Sequence, residues 1–109
     1  MKTLYLIAAG LAMSTACLPA ADVKENWTKH CASCHGKDGK GQTKAGKMAD
    51  TKDLTDATYQ ASFTDDQMVQ QMRDGMKDKA GKERMKPFRD KLSDDEIKAL
   101  AAFVRTLKK

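Results

Sequence analysis

Residues 31–35 read Cys-Ala-Ser-Cys-His. Two cysteines three positions apart on a helical turn face the same way, so both thiols can add to the two vinyl groups of one haem. The adjacent His35 then presents a ring nitrogen to the iron. The pattern is that of c-type haem attachment, with Cys31 and Cys34 as thioether donors and His35 as an axial iron ligand. A covalent macrocycle constrains everything else, because the rest of so short a chain must wrap it.

Three other readings of the motif stay open. A dithiol–disulfide redox pair also uses two cysteines at this spacing, but usually at a helix start that follows a strand. A zinc site needs about four ligands, and only His30 and His35 join the two cysteines. A structural disulfide across two residues is strained and adds little. Haem attachment is favoured because no strand precedes the motif and no second Cys/His cluster closes a zinc site.

The remaining composition asks for a cofactor. Residues 21–109 number 89 and carry Leu, Ile, Val or Phe at 11 positions. That is about 12%, below the roughly 20% at which charged chains usually stay disordered. A chain this small has little core to draw on, and only two cysteines remain for cross-linking. It needs something that is not protein to fold around.

The first 20 residues read as a removable export signal. Lys2 is its basic start, Leu4 to Met13 its apolar run, and Ser14 to Ala21 a small-residue stretch that allows cleavage after Ala20 or Ala21. The run is too short for a comfortable membrane span. An uncleaved anchor is the alternative, and either way the chain is expected to work outside the cytoplasm, in the periplasm. Cys17 admits a further variant, lipidation after cleavage, although Ser14 stands where a larger apolar residue is usual. Residues 22–109 then form one domain.

Within that domain the spacing predicts helices and loops. Asp22 to Cys34 reads as a helix, with Val23, Trp27, His30 or Cys31, and Cys34 on one face. Gly36 to Thr51 is rich in glycine and lysine and reads as a loop wrapped around something. Asp53 to Ala61 holds a short helix. Thr64 and Gln67 form a capping box for a helix to about Asp74, with Met68, Val69 and Met72 inward and Gly75 at its end. Met76 to Lys91 is basic and reads as extended or looped. Ser93 and Glu96 open a last helix to Leu107, with Ile97, Leu100, Ala101, Val104 and Leu107 on one stripe. No segment alternates like a strand. The fold class is all-α, three or four helices with long loops.

A six-coordinate haem needs a second axial ligand, and five methionines follow the motif. Met68 and Met72 fit core packing. Met48 sits in a loop and fills space. Met76 follows a helix end and is the runner-up. Met85 is preferred, because Pro87 stiffens its loop and Phe88 can cover the haem edge. His30 would point along its own helix, not to the opposite haem face, and is expected to be exposed or partly packed.

Trp27, the run Cys31-Ala32-Ser33-Cys34-His35-Gly36 with Asp38, Gly39 and Gly41, the segment Met85-Lys86-Pro87-Phe88, and the terminal helix Leu92 to Arg105 stand in one order. That order resembles the class I c-type cytochromes, small exported monohaem electron carriers, over nearly the whole of residues 22–109. The resemblance implies a small cytochrome c-like fold around one covalent haem c. It implies crossing first and last helices, so that Trp27 meets Leu100, Phe103 or Val104. Two departures stand out. Lys86 separates Met85 from the proline. Residues 36–60 lack the proline whose carbonyl often fixes the proximal histidine; a carbonyl near Met48 is the substitute expected here.

His/Met ligation raises the reduction potential relative to His-only ligation and leaves no open iron position. The expected function is one-electron transfer without substrate turnover, hence no enzyme activity. The chain carries 20 Lys and Arg against 15 acids, a formal net charge of +5. Lys77, Lys79, Lys82, Arg84 and Lys86 would ring the haem edge and steer acidic redox partners. Few aromatics and no aromatic–basic interleaving count against nucleic acid. A monomer without a membrane span is expected. The alternatives are a haem subunit dedicated to one exported dehydrogenase, and a sensor or peroxidase-like protein whose Met85 is labile.

Overall fold

Because its first and last helices cross, the chain folds around the join between the two ends of the domain. The structure, a computed structural model, describes residues 20–109 together with Thr3 and Gly10. The expected signal lies almost wholly outside the described residues, and Cys17 with it. The elements are α1 (Ala20–Asn26), a π turn (Trp27–Cys31), α2 (Ala32–His35), α3 (Lys44–Met48), α4 (Ala57–Ala61), α5 (Asp65–Asp74), β1 (Met76–Lys77), β2 (Glu83–Met85) and α6 (Asp94–Thr106). The architecture is mostly helical.

The two longest helices start where their sequences cap them. Thr64 Oγ1 accepts from the Gln67 N–H at 3.1 Å while Gln67 Oε1 accepts from the Thr64 N–H at 2.9 Å. Ser93 and Glu96 repeat the arrangement at 3.1 and 3.0 Å. Each cap is worth about 1 kcal/mol.

The core is small and sits mainly under α6. Ile97, Leu100 and Val104 are almost fully buried, as are Met68 and Met72 of α5. Each buried aliphatic side chain contributes roughly 1.5–3 kcal/mol. Trp27 is 3% exposed and packs against Phe103 with ring centroids 5.2 Å apart. The expected crossing of first and last helices is therefore made through Phe103. Asn26 adds a side-chain hydrogen bond to Glu96 at 3.0 Å across the same junction.

Gln60 is a core residue that periodicity does not reveal. It is 2% exposed, and its amide donates to the carbonyls of Leu54 and Val104 at 2.6 and 2.9 Å. Arg105 completes the junction by donating to the carbonyls of Gln60 and Phe63 at 2.6 and 2.8 Å. An unpaired buried carbonyl costs about 1–3 kcal/mol, so this network holds α4 and the turn after it against α6.

Three expectations need correction. The first helix is not uniformly α-helical, because Ala32 donates its N–H to the carbonyl of Trp27, five residues back. The glycine-rich stretch contains α3, started by the Thr43 side chain accepting from the Gly46 N–H. Finally, the region read as extended or looped, where no strand alternation shows, contains an antiparallel hairpin, β1 with β2, pairing Met76 with Met85 and Lys77 with Glu83. Strands of two and three residues are too short to show alternation. Their turn is built instead by Asp78, whose Oδ1 accepts from the N–H groups of Ala80 and Lys82, both at 2.9 Å.

Candidate functional site

The rod formed by α1, the π turn and α2 delivers the motif to one wall of a cavity of about 840 Å³. That volume suits a large planar cofactor, since ligand cavities run to roughly 1,000 Å³. Cys31, Cys34 and His35 all line it. The π turn sits directly before them, ending at Cys31, and such turns often mark functional sites.

The two cysteines are free thiols. Burial, and then the neighbouring Cys34, push the Cys31 thiol up to about 11. A thiol held protonated is a poor redox nucleophile, which counts against the dithiol reading. Among the described residues, no group of three or more His, Cys, Asp or Glu side chains is placed to hold a metal ion, so the zinc reading lacks its ligands.

His35 has what an iron ligand needs. Burial lowers its pKa, which keeps the imidazole neutral. Its Nδ1 is buried and has no hydrogen-bond partner. With Nδ1 closed off, the other ring nitrogen, Nε2, is the one left to meet a group in the cavity. The site residues thus fit a haem: two free thiols at the right spacing, a neutral imidazole beside them, and thioethers facing the same space. The expected acceptor near Met48 is not found, since Nδ1 has no partner; the Met48 carbonyl accepts from Arg84 at 3.5 Å. What positions the ring is Trp27, 5.7 Å away centroid to centroid.

The backbone around the motif is tied down from several sides. Trp27 Nε1 donates to the Gly36 carbonyl at 3.2 Å. Gly41 donates its N–H to the His35 carbonyl at 2.8 Å. The Thr43 hydroxyl lies 2.7 and 2.8 Å from the carbonyls of Ser33 and Cys34, the orphan acceptors at the end of α2. Gly46 is buried against this turn, where a Cβ would collide with the Cys34 carbonyl. Glycine at 46 therefore lets α3 lie directly on the motif.

The opposite side of the cavity comes from the hairpin and the segment after it. Met85 is half-buried and Met76 is 38% exposed, and both line the cavity. Met68 and Met72 are buried in the core, as expected, and Met48 is 73% exposed. Phe88, 8% exposed, is pinned by its N–H to the Met72 carbonyl at 2.9 Å. It meets His30 edge-on at 5.6 Å. His30 is half-buried on the cavity wall, in keeping with partial packing.

Charge at the cavity is mostly basic. Lys29, Lys52, Lys77, Arg84, Lys86 and Lys91 line it, against Asp50, Asp78 and Glu83. Of the rim expected from sequence, Lys77, Arg84 and Lys86 are in place, whereas Lys79 and Lys82 lie in the exposed hairpin turn and do not line the cavity. Lys29 comes with the turn before the motif, whereas Lys52 and Lys91 come from distant segments and carry no local signal. Arg84 is spoken for: its guanidinium pairs with Asp78 at 3.0 Å. Ala45 of α3 and Ala49, which caps it, also line the wall, and their four-residue spacing was the available clue to a small-residue face.

Among the described residues no helix is long and apolar enough to cross a membrane. Comparison with known proteins agrees with the geometry. The family model described as cytochrome c matches residues 20–108. A solved structure named KustC0563 c-type cytochrome is 35% identical, with a TM-score of 0.70 over 79% of this chain and 96% of that one. A mutant of the same protein is 34% identical, with a TM-score of 0.69 over 80% of this chain and 99% of that one. Comparison with curated proteins gives no match.

Proposed function

Because the chain belongs to the cytochrome c family, whose members carry covalent haem c and transfer electrons, we propose a specific assignment within that role. Cys31 and Cys34 hold the haem as thioethers, His35 is the proximal iron ligand and Met85 the distal one. The protein is a one-electron shuttle between redox partners outside the cytoplasm, and it turns over no substrate. The observation that carries the assignment is that all four side chains line one cavity, with Met85 supplied from a separate element.

Haem bound here supplies a one-electron iron couple whose potential the axial ligands tune. The chain's residues do the rest. His35, neutral through burial, offers a lone pair without first losing a proton. The Met85 thioether is a soft donor that favours the reduced metal. Thr43, Gly41 and Trp27 fix the motif so that the proximal ligand moves little between oxidation states. Phe88 fills the wall between His30 and the distal segment and excludes water.

Exposed lysines at the mouth, Lys52, Lys77, Lys86 and Lys91 among them, suit brief docking to acidic faces of redox partners. Such steering speeds encounter more than it strengthens the complex. We place the working site in the periplasm, reached through a signal in residues 1–20 that is removed, and the working form is a monomer.

Three measurements test this reading. Mass spectrometry of the peptide spanning Cys31 to Cys34 should show one haem added through both sulfurs. An unmodified peptide, from cells competent to attach haem, overturns the attachment. The oxidised Met76→Ala protein should keep the weak far-red sulfur-to-iron band of the native protein; its loss would move the distal assignment away from Met85. Mass spectrometry of the mature N-terminus should find cleavage after Ala20 or Ala21, and a lipid on Cys17 would contradict the free shuttle.

A further inference from the structure

We propose that Met76 is a reserve axial ligand, the thioether that takes the distal iron position when Met85 does not hold it. The proposal rests on the haem assignment above and goes beyond it, since that assignment gives Met76 no role.

The pairing of the hairpin carries the argument. Met76 and Met85 are direct partners in the β1–β2 register. Opposed side chains of an antiparallel pair leave the same face, with Cβ atoms about 4.5–5.5 Å apart. Both methionines do line the cavity, and no other methionine of the described residues does. Met68 and Met72 are committed to the core at 5% and 7% exposure, whereas Met76 is 38% exposed and has no comparable packing role. A second soft donor therefore stands one strand away from the first, on the same wall, with nothing else holding it.

The strand that carries Met76 is short and irregularly paired: β1 is two residues long, and the irregularity falls between Met76 and Lys77. The far end of the hairpin turns through Gly81, which has open space around it. Methionine adds three rotatable bonds of its own, enough for one thioether to cover the distance between neighbouring strands. The exchange replaces one neutral thioether by another, so it moves no proton and no electron. Its consequence is protective. Loss of Met85 as a donor, for example by oxidation to the sulfoxide, would leave the distal position closed.

The test uses the exported haem-loaded protein and two readouts. These are the far-red sulfur-to-iron band of the oxidised form and carbon monoxide binding by the reduced form at neutral pH. Met85→Ala should keep a sulfur band, shifted from the native position, and should not bind carbon monoxide. Met76→Ala/Met85→Ala should lose the band and bind carbon monoxide. If Met85→Ala alone loses the band and binds carbon monoxide, the reserve role is overturned and Met85 stands as the only distal donor. If Met76→Ala alone loses the band, the Met85 assignment falls and Met76 is resident, which also ends the reserve role. Should Met85→Ala fail to accumulate, Met85→Leu keeps the packing volume without a donor, and the same outcomes apply to it.

Discussion

The two sides of the cavity are built in opposite ways. The side that carries Cys31, Cys34 and His35 is held by neutral groups packed at close range: the Trp27 indole, the Thr43 hydroxyl, backbone N–H groups and the bare Cα of Gly46. The side that carries Met85 is a short hairpin, Met76 to Met85, whose turn depends on one carboxylate, Asp78, and whose strands are largely exposed. The difference teaches where rigidity is needed. On the proposed assignment the motif side holds a covalent attachment and a fixed histidine, whereas the hairpin side has only to offer a thioether from short, exposed strands.

The largest effect that would break this contrast is removal of the attachment. Cys31→Ala/Cys34→Ala should abolish covalent haem and, with it, most of the cooperative fold, because the protein core alone is small. Acid–organic extraction and far-ultraviolet circular dichroism check both. A well-folded variant with extractable haem would show that packing, and not attachment, organises the chain.

Glycine substitutions compare the two sides directly. Gly46→Ala pushes a methyl into the Cys34 carbonyl, and overpacking of this kind costs about 3 kcal/mol. Gly81→Ala meets open space and suffers only its positive φ of 82°, a cost of roughly 1 kcal/mol. Denaturant unfolding of the two variants should rank them in that order. Equal costs would erase the contrast. Thr43→Ala removes the cap of α3 and the partner of two α2 carbonyls, and should cost about 1–2 kcal/mol by the same measurement.

How far the sequence foretold this architecture depends on how local each signal is. Helix α6 was legible because a capping box and a 3.6-residue stripe lie within its own span. That Cys31, Cys34 and His35 share one cavity was legible because they are contiguous in the chain. Trp27 meeting Phe103 followed once the resemblance placed the two helices across each other. The hairpin was not legible, since its register is set by the Asp78 side chain and by cross-strand pairing. Nor was Gln60, whose burial is permitted by two carbonyls from segments 6 and 44 residues away. Lys52 and Lys91 reach the cavity only through the tertiary fold. Without a proline in residues 36–60 His35 lacks its usual acceptor, and the structure leaves its Nδ1 unpartnered, an outcome no local pattern announces.

A smaller effect separates the two sides by pH. The Lys82 N–H, chiefly, with those of Ala80 and the Arg84 guanidinium, holds the Asp78 carboxyl below its ordinary value of 3.8. Its folded pKa is depressed, so its contribution to the turn is complete above that ordinary value and is lost as pH falls through the lower folded value. The neutral ties around the motif have no such dependence. Amide exchange should therefore show Lys82 and Ala80 losing protection on acidification before Gly41 and Gly46 do. Asp78→Asn should remove the pH dependence and loosen the hairpin at neutral pH.

The most direct test of the whole account is the absorption spectrum of the exported protein, oxidised and then reduced. The account predicts sharp low-spin bands in both states, a weak far-red sulfur-to-iron band in the oxidised form, and haem that resists acid–organic extraction. A protein that emerges without haem from cells able to attach it would contradict the account and return Cys31 and Cys34 to thiol chemistry.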